Sequence, residues 1–350
     1  MVFSHLREAS LENGGKCPFF SINIPMFNCR EFILDALESI QGQSFTDWEV
    51  VLFDDGSTDD TLDICEDQRT IPKDKLKIVK SSHVGQYGAR RRLVEESSGE
   101  FIISLDADDM LIDQQALEKI SNAIIETGCD VVLFNATRSL SVRNCVVDYS
   151  LLDIKEGARV SVANIISVMS SSYSLNNICF KAYRKTLWVE AEGGKEINNT
   201  EDRLQCAQIM RGATGCVVLD EPFYYYRPNQ SSVTNSRIPF KYLQDLIYVE
   251  ESLEPLFKDY HYDKEERERF LCQIVMGILG IMRSSCSTKQ SRLSLYEKAA
   301  RELSQSALFS RLSIPLFDLK SPCSSFAYNL LISDKIHLLD FLISIKDRFR

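Results

Sequence analysis

Two periods of apolar and polar positions alternate through the first part of the chain. Mainly apolar runs at Phe20 to Ile24, Glu49 to Phe53, Leu76 to Val79, Ile102 to Leu105 and Asp130 to Asn135 have the length and boundaries of buried strands. Between them lie stretches of helical spacing. Arg30 to Gln41 carries Phe32, Ile33, Ala36, Leu37 and Ile40; Thr58 or Asp59 can cap a helix through Cys65; Gln86 to Glu96 ends before Gly99; and Asp113 to Thr127 is amphipathic. This order predicts an α/β domain with a mostly parallel sheet flanked by helices. From Ala136 to Ser174 the pattern weakens. Ile178 to Phe180 and Val217 to Leu219 then read as strands, with Thr200 to Met210 a helix between them, and Pro228 marks the approach of a boundary. Beyond Phe240 only helical stripes remain, at Tyr242 to Leu253, Glu265 to Met282, Ser291 to Leu303 and Phe326 to Ile345. The expected division is a poorly ordered leader (1–17), an α/β domain (18–235) and a helical C-terminal region (236–350).

Two predicted strands end in acid: Asp54-Asp55-Gly56-Ser57 and Asp106-Ala107-Asp108-Asp109. In an open parallel sheet such ends face one ligand-binding crevice. Three carboxylates within four positions repel one another, and burying them unpaired would favour protonation, so a cation is the natural companion. Hard oxygen ligands select Mn2+ or Mg2+. A plainer reading makes Asp108 or Asp109 the cap of the helix near Asp113. A calcium loop at Asp55 to Glu66 is disfavoured, because Asp60 stands where the tight turn requires glycine. A receiver domain gathers acids on a different strand order and is shorter than this chain.

Composition narrows the chemistry. The formal net charge of −10 argues against an extended nucleic-acid surface. Eleven scattered cysteines without a C-x-x-C pair suit reduced thiols in a cytoplasmic setting. His5, His83, His261 and His337 share no ligand spacing, which argues against zinc. No apolar run approaches the roughly 20 residues of a transmembrane helix. The stripe of Phe326 to Ile345, bordered by Lys335, Lys346, Arg348 and Arg350, suits peripheral contact at the inner face of a membrane; packing on its own domain or on a homodimer partner is favoured.

The segments FSINIPMFNCREFILDALESIQGQSFTDWEVVLFDDGSTDDT, HVGQYGARR, SSGEFIISLDADDML, NNTEDRL and DEPFYYYRPNQSSVT resemble, in order and spacing, the family-2 glycosyltransferases of GT-A fold. The resemblance runs from about residue 18 to 235. It implies an inverting, metal-assisted enzyme that moves a sugar from a nucleotide-sugar donor, a UDP-sugar, to a hydroxyl of a glycan or lipid-linked acceptor. It places Pro25, Asp55 and Arg90 at the nucleotide, Asp106 and Asp108 in the D-x-D pattern on ribose and metal, and Asp109 beside them as a further metal ligand. Asp202 takes the position of the catalytic base, with Glu201 and Arg227 as candidate diphosphate or acceptor contacts. Phe27 departs from the usual tyrosine and Arg91 from a common asparagine, which leaves the sugar open. Read without the family, Asp202 is a first-turn acid favoured by the helix dipole, Arg227 a surface ion pair, and Arg90 to Arg92 a solvated helix face. Two other classes compete. A sugar nucleotidyltransferase should carry a glycine-rich basic loop after the first strand, and Ile24 to Asn28 has no glycine. A non-catalytic carbohydrate- or nucleotide-binding protein would have no need of Asp108, Asp109 and Asp202 together.

Overall fold

The computed structural model describes residues 17–142, 144–152, 158–188, 197, 199–228, 240–312, 322–333, 335–340 and 343. Of the expected leader only Cys17 is among the described residues. The chain divides into two compact units. One comprises Met1–Ile165, Ser174–Glu196 and Gln205–Pro228; the other comprises Ile166–Tyr173, Ile197–Leu204 and Asn229–Arg350.

The first unit is built on a nine-stranded mixed sheet. Its strands are β1 (Phe20–Met26), β2 (Trp48–Asp54), β3 (Leu76–Lys80), β4 (Phe101–Ser104), β5 (Met110–Leu111), β6 (Val131–Thr137), β7 (Arg159–Val160), β8 (Lys181–Arg184) and β9 (Cys216–Tyr225). They run in the order β3-β2-β1-β4-β8-β6-β9-β5, with β7 on β9. The β3-β2-β1-β4 half is parallel, as the alternating pattern predicts, and its connections are α1 (Ile33–Gln41), α2 (Thr61–Asp67) and α3 (Gly85–Glu96). In the other half β6 and β9 pair in parallel, β8 lies antiparallel between β4 and β6, and β5 and β7 are antiparallel to β9. Six of the nine strands therefore share one direction and only β5, β7 and β8 run against them, so the sheet is mostly parallel, as expected; Lys181–Arg184 is a short strand with little apolar signal of its own. The apolar Ile178–Phe180, expected as that strand, is instead a buried 3-10 turn leading into it.

Central strands are mainly apolar because both faces are covered. All four residues of β4 and all seven of β6 are buried. β1 continues through Pro25 to Met26, where the sequence pattern had stopped it. Its pairing with β4 ends at Asn23↔Ser104, so the proline sits where only β2 still runs alongside. Helix α4 (Ala116–Thr127) begins later than Asp113, and neither Asp108 nor Asp109 caps it; its C-cap is Gly128 at φ +65°. The chain then enters β6.

β9 carries the irregularity that matters for function. Its register with β6 shifts on both sides of Asn135, from Phe134↔Leu219 to Asn135↔Pro222 and Ala136↔Tyr224. Pro222 has no N–H for a ladder, so the strand bulges there. Asn135 compensates with its side chain, donating to Asp220 at 2.6 Å and to the Val147 carbonyl at 2.8 Å. Beyond the bulge β9 runs on as Phe223, Tyr224 and Tyr225.

In the second unit α5 (Val162–Ser171) and α6 (Glu201–Gly212) contribute segments, and α7 (Lys241–Asp259), α8 (Lys264–Ser284), α9 (Lys289–Gln305) and α10 (Pro322–Ile332) supply the bulk. Asp263 caps α8 and Thr288 forms a capping box with Ser291 on α9. Leu246, Leu271, Val275, Tyr296, Ala299 and Leu331 belong to one core. The expected continuous helix Phe326 to Ile345 is interrupted after Ile332, and of its stripe Leu330, Leu331, Ile336 and Leu339 are buried in that core. Leu338 is exposed; Phe341, Leu342 and Ile345 lie outside the described side chains. Among the described residues no helix is long and apolar enough to cross a membrane.

Gly99 tests the sheet's close approach. A Cβ there would stand 2.5 Å from the Ser21 backbone nitrogen and 2.7 Å from the Phe20 carbonyl carbon. Gly99→Ala should destabilise the protein by about 1–3 kcal/mol, since backbone cannot yield as a side-chain tip can. Urea unfolding that gives an unchanged midpoint would contradict this packing.

Candidate active site

The parallel strands β1, β2 and β4 end at one edge of the sheet, and their final residues make the site. The Asp55 N–H donates to the Met26 carbonyl at 2.9 Å, so the loop after β2 lies against the end of β1. Asn28, at φ +50°, stitches the two loops. Its side-chain oxygen accepts from the Thr58 N–H at 2.8 Å, and its own N–H donates to Ser57 Oγ at 3.0 Å. Asparagine tolerates the left-handed backbone and offers a local acceptor, which is why it serves here. Pro25 is half-buried just upstream, and the ring of Phe27, about half exposed, lies 5.1 Å from that of His83.

Asp55 is almost completely buried, yet it is not starved of donors. The N–H groups of Val84 and Gly85 reach its two oxygens at 2.6 and 3.0 Å, and His83 Nδ1 stands 2.9 Å away. These amides open helix α3, whose positive dipole end favours a carboxylate. Gly85, at φ +77°, makes that helix start possible. Asp54 turns away and accepts from the Ser57 N–H at 3.2 Å.

The acidic turn after β4 divides its three carboxylates. Asp106 is partly exposed and pairs at 3.3 Å with the guanidinium of Arg90, which is buried on α3. Arg91 and Arg92 on the same helix reach Glu95 at the surface. The solvated-face reading therefore fits those two and fails for Arg90. Asp108 is half-buried. Asp109 is buried and has both oxygens engaged, one accepting from the Tyr224 hydroxyl at 2.6 Å and the other from the Arg227 N–H at 2.8 Å. Burial, reinforced by the charge of Asp106 and less by Asp108, outweighs these bonds and pushes the Asp109 carboxyl up to about 8.

Arg227 closes the turn from β9. Its Nε donates to the Asp108 carbonyl at 2.7 Å, Nη2 pairs with Asp35 at 2.9 Å, and its guanidinium lies 5.1 Å from the Phe32 ring. Of the two roles the sequence leaves open for this arginine, diphosphate contact or ion pair, the structure shows the ion pair, and the side chain also braces the acidic turn. Tyr224, the first of three consecutive tyrosines, is buried together with Phe223, while Tyr225 and Tyr226 are both half-buried, so the run does not follow simple strand alternation. Its hydroxyl both accepts from the Asp106 N–H at 3.1 Å and donates to Asp109. No local signal in the sequence gives that role, because it depends on the β9 bulge.

Pro25, Asp55, Arg90, Asp106, Asp108, Asp109 and Arg227 thus all belong to the first unit, at or beside the strand ends. Glu201 and Asp202 belong to the second, in the first turn of α6, and both are half-buried. Among the described residues, no three His, Cys, Asp or Glu side chains form a set that could hold a metal ion. Magnesium-type ions at nucleotide sites need only one or two carboxylates, with phosphate oxygens and water completing the shell. Asp106 and Asp108 fit that requirement in charge, hardness and access, and Asp109 lies beside them with each oxygen accepting one bond from the protein.

Tyr224→Phe should cost about 1–3 kcal/mol, because it strips both the Asp106 N–H and the buried Asp109 of a partner. Denaturant titration measures it, and a loss below about 0.5 kcal/mol would mean that the turn is held by other contacts.

Residues 21–150 match the family model for glycosyl transferase family 2. The poly(ribitol-phosphate) beta-N-acetylglucosaminyltransferase TarS of Staphylococcus aureus is 30% identical over 214 residues, which cover 59% of this chain and 35% of the relative. The chain therefore spans about a third of that protein's length. The glycosyltransferase EpsJ of Bacillus subtilis is 23% identical over 82% of this chain and 84% of its own. Among solved structures, the fragment 1–349 of S. aureus TarS in complex with UDP-GlcNAc superposes with a TM-score of 0.66 at 19% identity, covering 91% of this chain and 88% of that one. With the family's sequence pattern at both acidic strand ends and this fold around them, residues 21–150 form a glycosyltransferase family 2 domain, and the chain has the GT-A fold.

Proposed function

We propose that the protein transfers a sugar from a UDP-sugar to a hydroxyl of a glycan or lipid-linked glycan, with inversion at the anomeric carbon and with Mn2+ or Mg2+ at the diphosphate. The observation that carries this reading is the pair of acidic strand ends opening at one edge of the sheet in a family-2 domain. One end is held on a helix N-terminus, and the other is coupled to a buried arginine. UDP is the nucleotide named in the similar TarS complexes.

In this reading Asp55 and Pro25 border the base, and Asp55 has a fixed orientation because two amides hold it. Asp106 is directed by Arg90 towards ribose or cation, and Asp108 is the principal protein ligand. A bound divalent ion supplies Lewis-acid stabilisation of the charge left on the departing diphosphate. Asp202 removes the proton of the acceptor hydroxyl as it attacks opposite the leaving group, and Glu201 is its neighbour on the acceptor side. Arg227 keeps the acidic turn in shape while its side chain remains partly accessible.

Calorimetry with UDP and Mn2+ tests the donor half. EDTA, or Asp108→Asn, should weaken UDP binding about ten-fold or more, and equal affinity in all three titrations would sink the metal assignment.

The base is tested separately. Asp202→Asn keeps shape but cannot take a proton at neutral pH, so transfer should fall by roughly 10²–10⁴ while UDP affinity stays within a few-fold of wild type. Loss of transfer only in proportion to lost UDP binding would place the base elsewhere, with Glu201 the first residue to examine.

A further inference from the structure

The second unit holds the turn of Asp202 from both sides, and one helix supplies both holds. Before it, Asn199 Nδ2 donates to Asp245 of α7 at 3.1 Å. After it, Arg203 Nε lies 2.6 Å from Glu250 of the same helix. Asp245 and Glu250 are buried acids, and neither is isolated. Lys241, one helical turn away, pairs with Asp245 at 3.0 Å, and Arg267 of α8 pairs with Glu250 at 2.8 Å and with Glu254 at 3.3 Å. Arg203 is itself buried among rings, with its guanidinium 5.0 Å from Tyr173 and 5.2 Å from Phe270. It also donates to the Ser172 carbonyl at 3.1 Å. Burial pushes the Glu250 carboxyl up, but the two guanidiniums more than offset this and hold it below the usual carboxylate range.

Between the two holds the backbone is forced. Thr200 has φ +62°, a left-handed conformation that a β-branched residue rarely adopts. Such a residue persists only where its surroundings over-determine it. The first turn of a helix lacks intrahelical partners for its N–H groups, so its direction is set by what grips it from outside. A buried ion cluster is a poor source of stability compared with apolar packing of the same volume. Its advantage is one fixed geometry, and the residue held between its two grips is Asp202.

Resting on the reading of Asp202 as the base, we propose that α7 is its positioning element: Asp245, through Asn199, and Glu250, through Arg203, fix the direction of the Asp202 carboxylate. This gives the C-terminal helical region a role in the reaction. Asp245, Glu250, Asn199 and Arg203 are positioning residues, and none needs to touch substrate.

The test uses the full chain with Mn2+ and UDP-GlcNAc, UDP-glucose, UDP-galactose and UDP-glucuronate assayed one at a time, with water as the acceptor hydroxyl and UDP release as the readout. Glu250→Gln should lower kcat by about 10–100-fold while KM for the donor and UDP affinity change by less than about three-fold, the pattern of a displaced catalytic group. In an Asp202→Asn background the same change should add almost nothing, because both act through one carboxylate. Should Glu250→Gln fail to fold, Asn199→Ala removes only a half-buried donor, and its kcat should fall by about 3–30-fold by the same criteria. A crystal structure of Asn199→Ala needs no donor at all, and it should show Thr200 leaving its left-handed conformation and the Asp202 carboxylate displaced. An unchanged turn there, or additive losses in the double variant, overturns the positioning role. If Asp202→Asn has no effect on UDP release while Glu250→Gln does, the base assignment fails and takes this proposal with it. If Asp202→Asn abolishes release and Glu250→Gln and Asn199→Ala leave it intact, the base stands and α7 is only scaffold.

Discussion

Like-charge repulsion at the end of β4 is the constraint that the first unit has to solve. Asp106, Asp108 and Asp109 follow one buried strand, and three ionised carboxylates cannot share that volume without compensation. The fold gives each a different answer. Arg90 offsets Asp106, Asp109 is withdrawn into the protein, where burial raises its carboxyl, and Asp108 keeps partial access to solvent. Withdrawal of Asp109 needs donors from outside the turn. These come from Tyr224 and Arg227, and they are available because β9 bulges at Pro222. A proline in one strand and an asparagine in the next therefore decide which acids remain for chemistry.

The same logic separates what was legible in the sequence from what was not. β1, β2, β4 and β6 are readable because strands buried on both faces are mainly apolar, and the acidic ends of β2 and β4 stand out against them. β8 was misplaced by three residues because the apolar signal of Ile178–Phe180 reports burial, which a 3-10 turn satisfies as well as a strand does. The C-terminal helix was overextended for a related reason. Apolar residues on both sides of Ser333 enter the same core, and a broken helix can bury them as a continuous one would. Asn28, Tyr224 and Arg203 were invisible as site residues, since their partners lie 30, 115 and 47 positions away in the chain.

Local chemistry and long-range support are divided differently at the two ends of the proposed reaction. The donor residues sit on strand ends and one helix start, where backbone amides and a single arginine orient them. Little further machinery is required, because a sheet fixes its own edge. Asp202 stands in the first turn of a helix after a strained threonine, and the family match at residues 21–150 ends well before it.

A carboxylate in that position is only as well directed as the groups that fix the turn. Ordinary apolar packing would hold the helix axis, but it would leave rotation and register soft, because apolar contacts have no direction. Ion pairs with planar guanidinium groups do have direction, and they become strongly orienting once water is excluded. The desolvation cost of burying Arg203, Glu250 and Arg267 together is then explained by what the cluster specifies. Each guanidinium offers a fixed fork, Glu250 meets both, and a helix turn attached to that arrangement cannot rotate without breaking a buried pair. In the proposed reaction, precision at Asp202 is thus obtained from charges that need never approach the substrate, and the helices beyond residue 240 would take part in the chemistry through their interior.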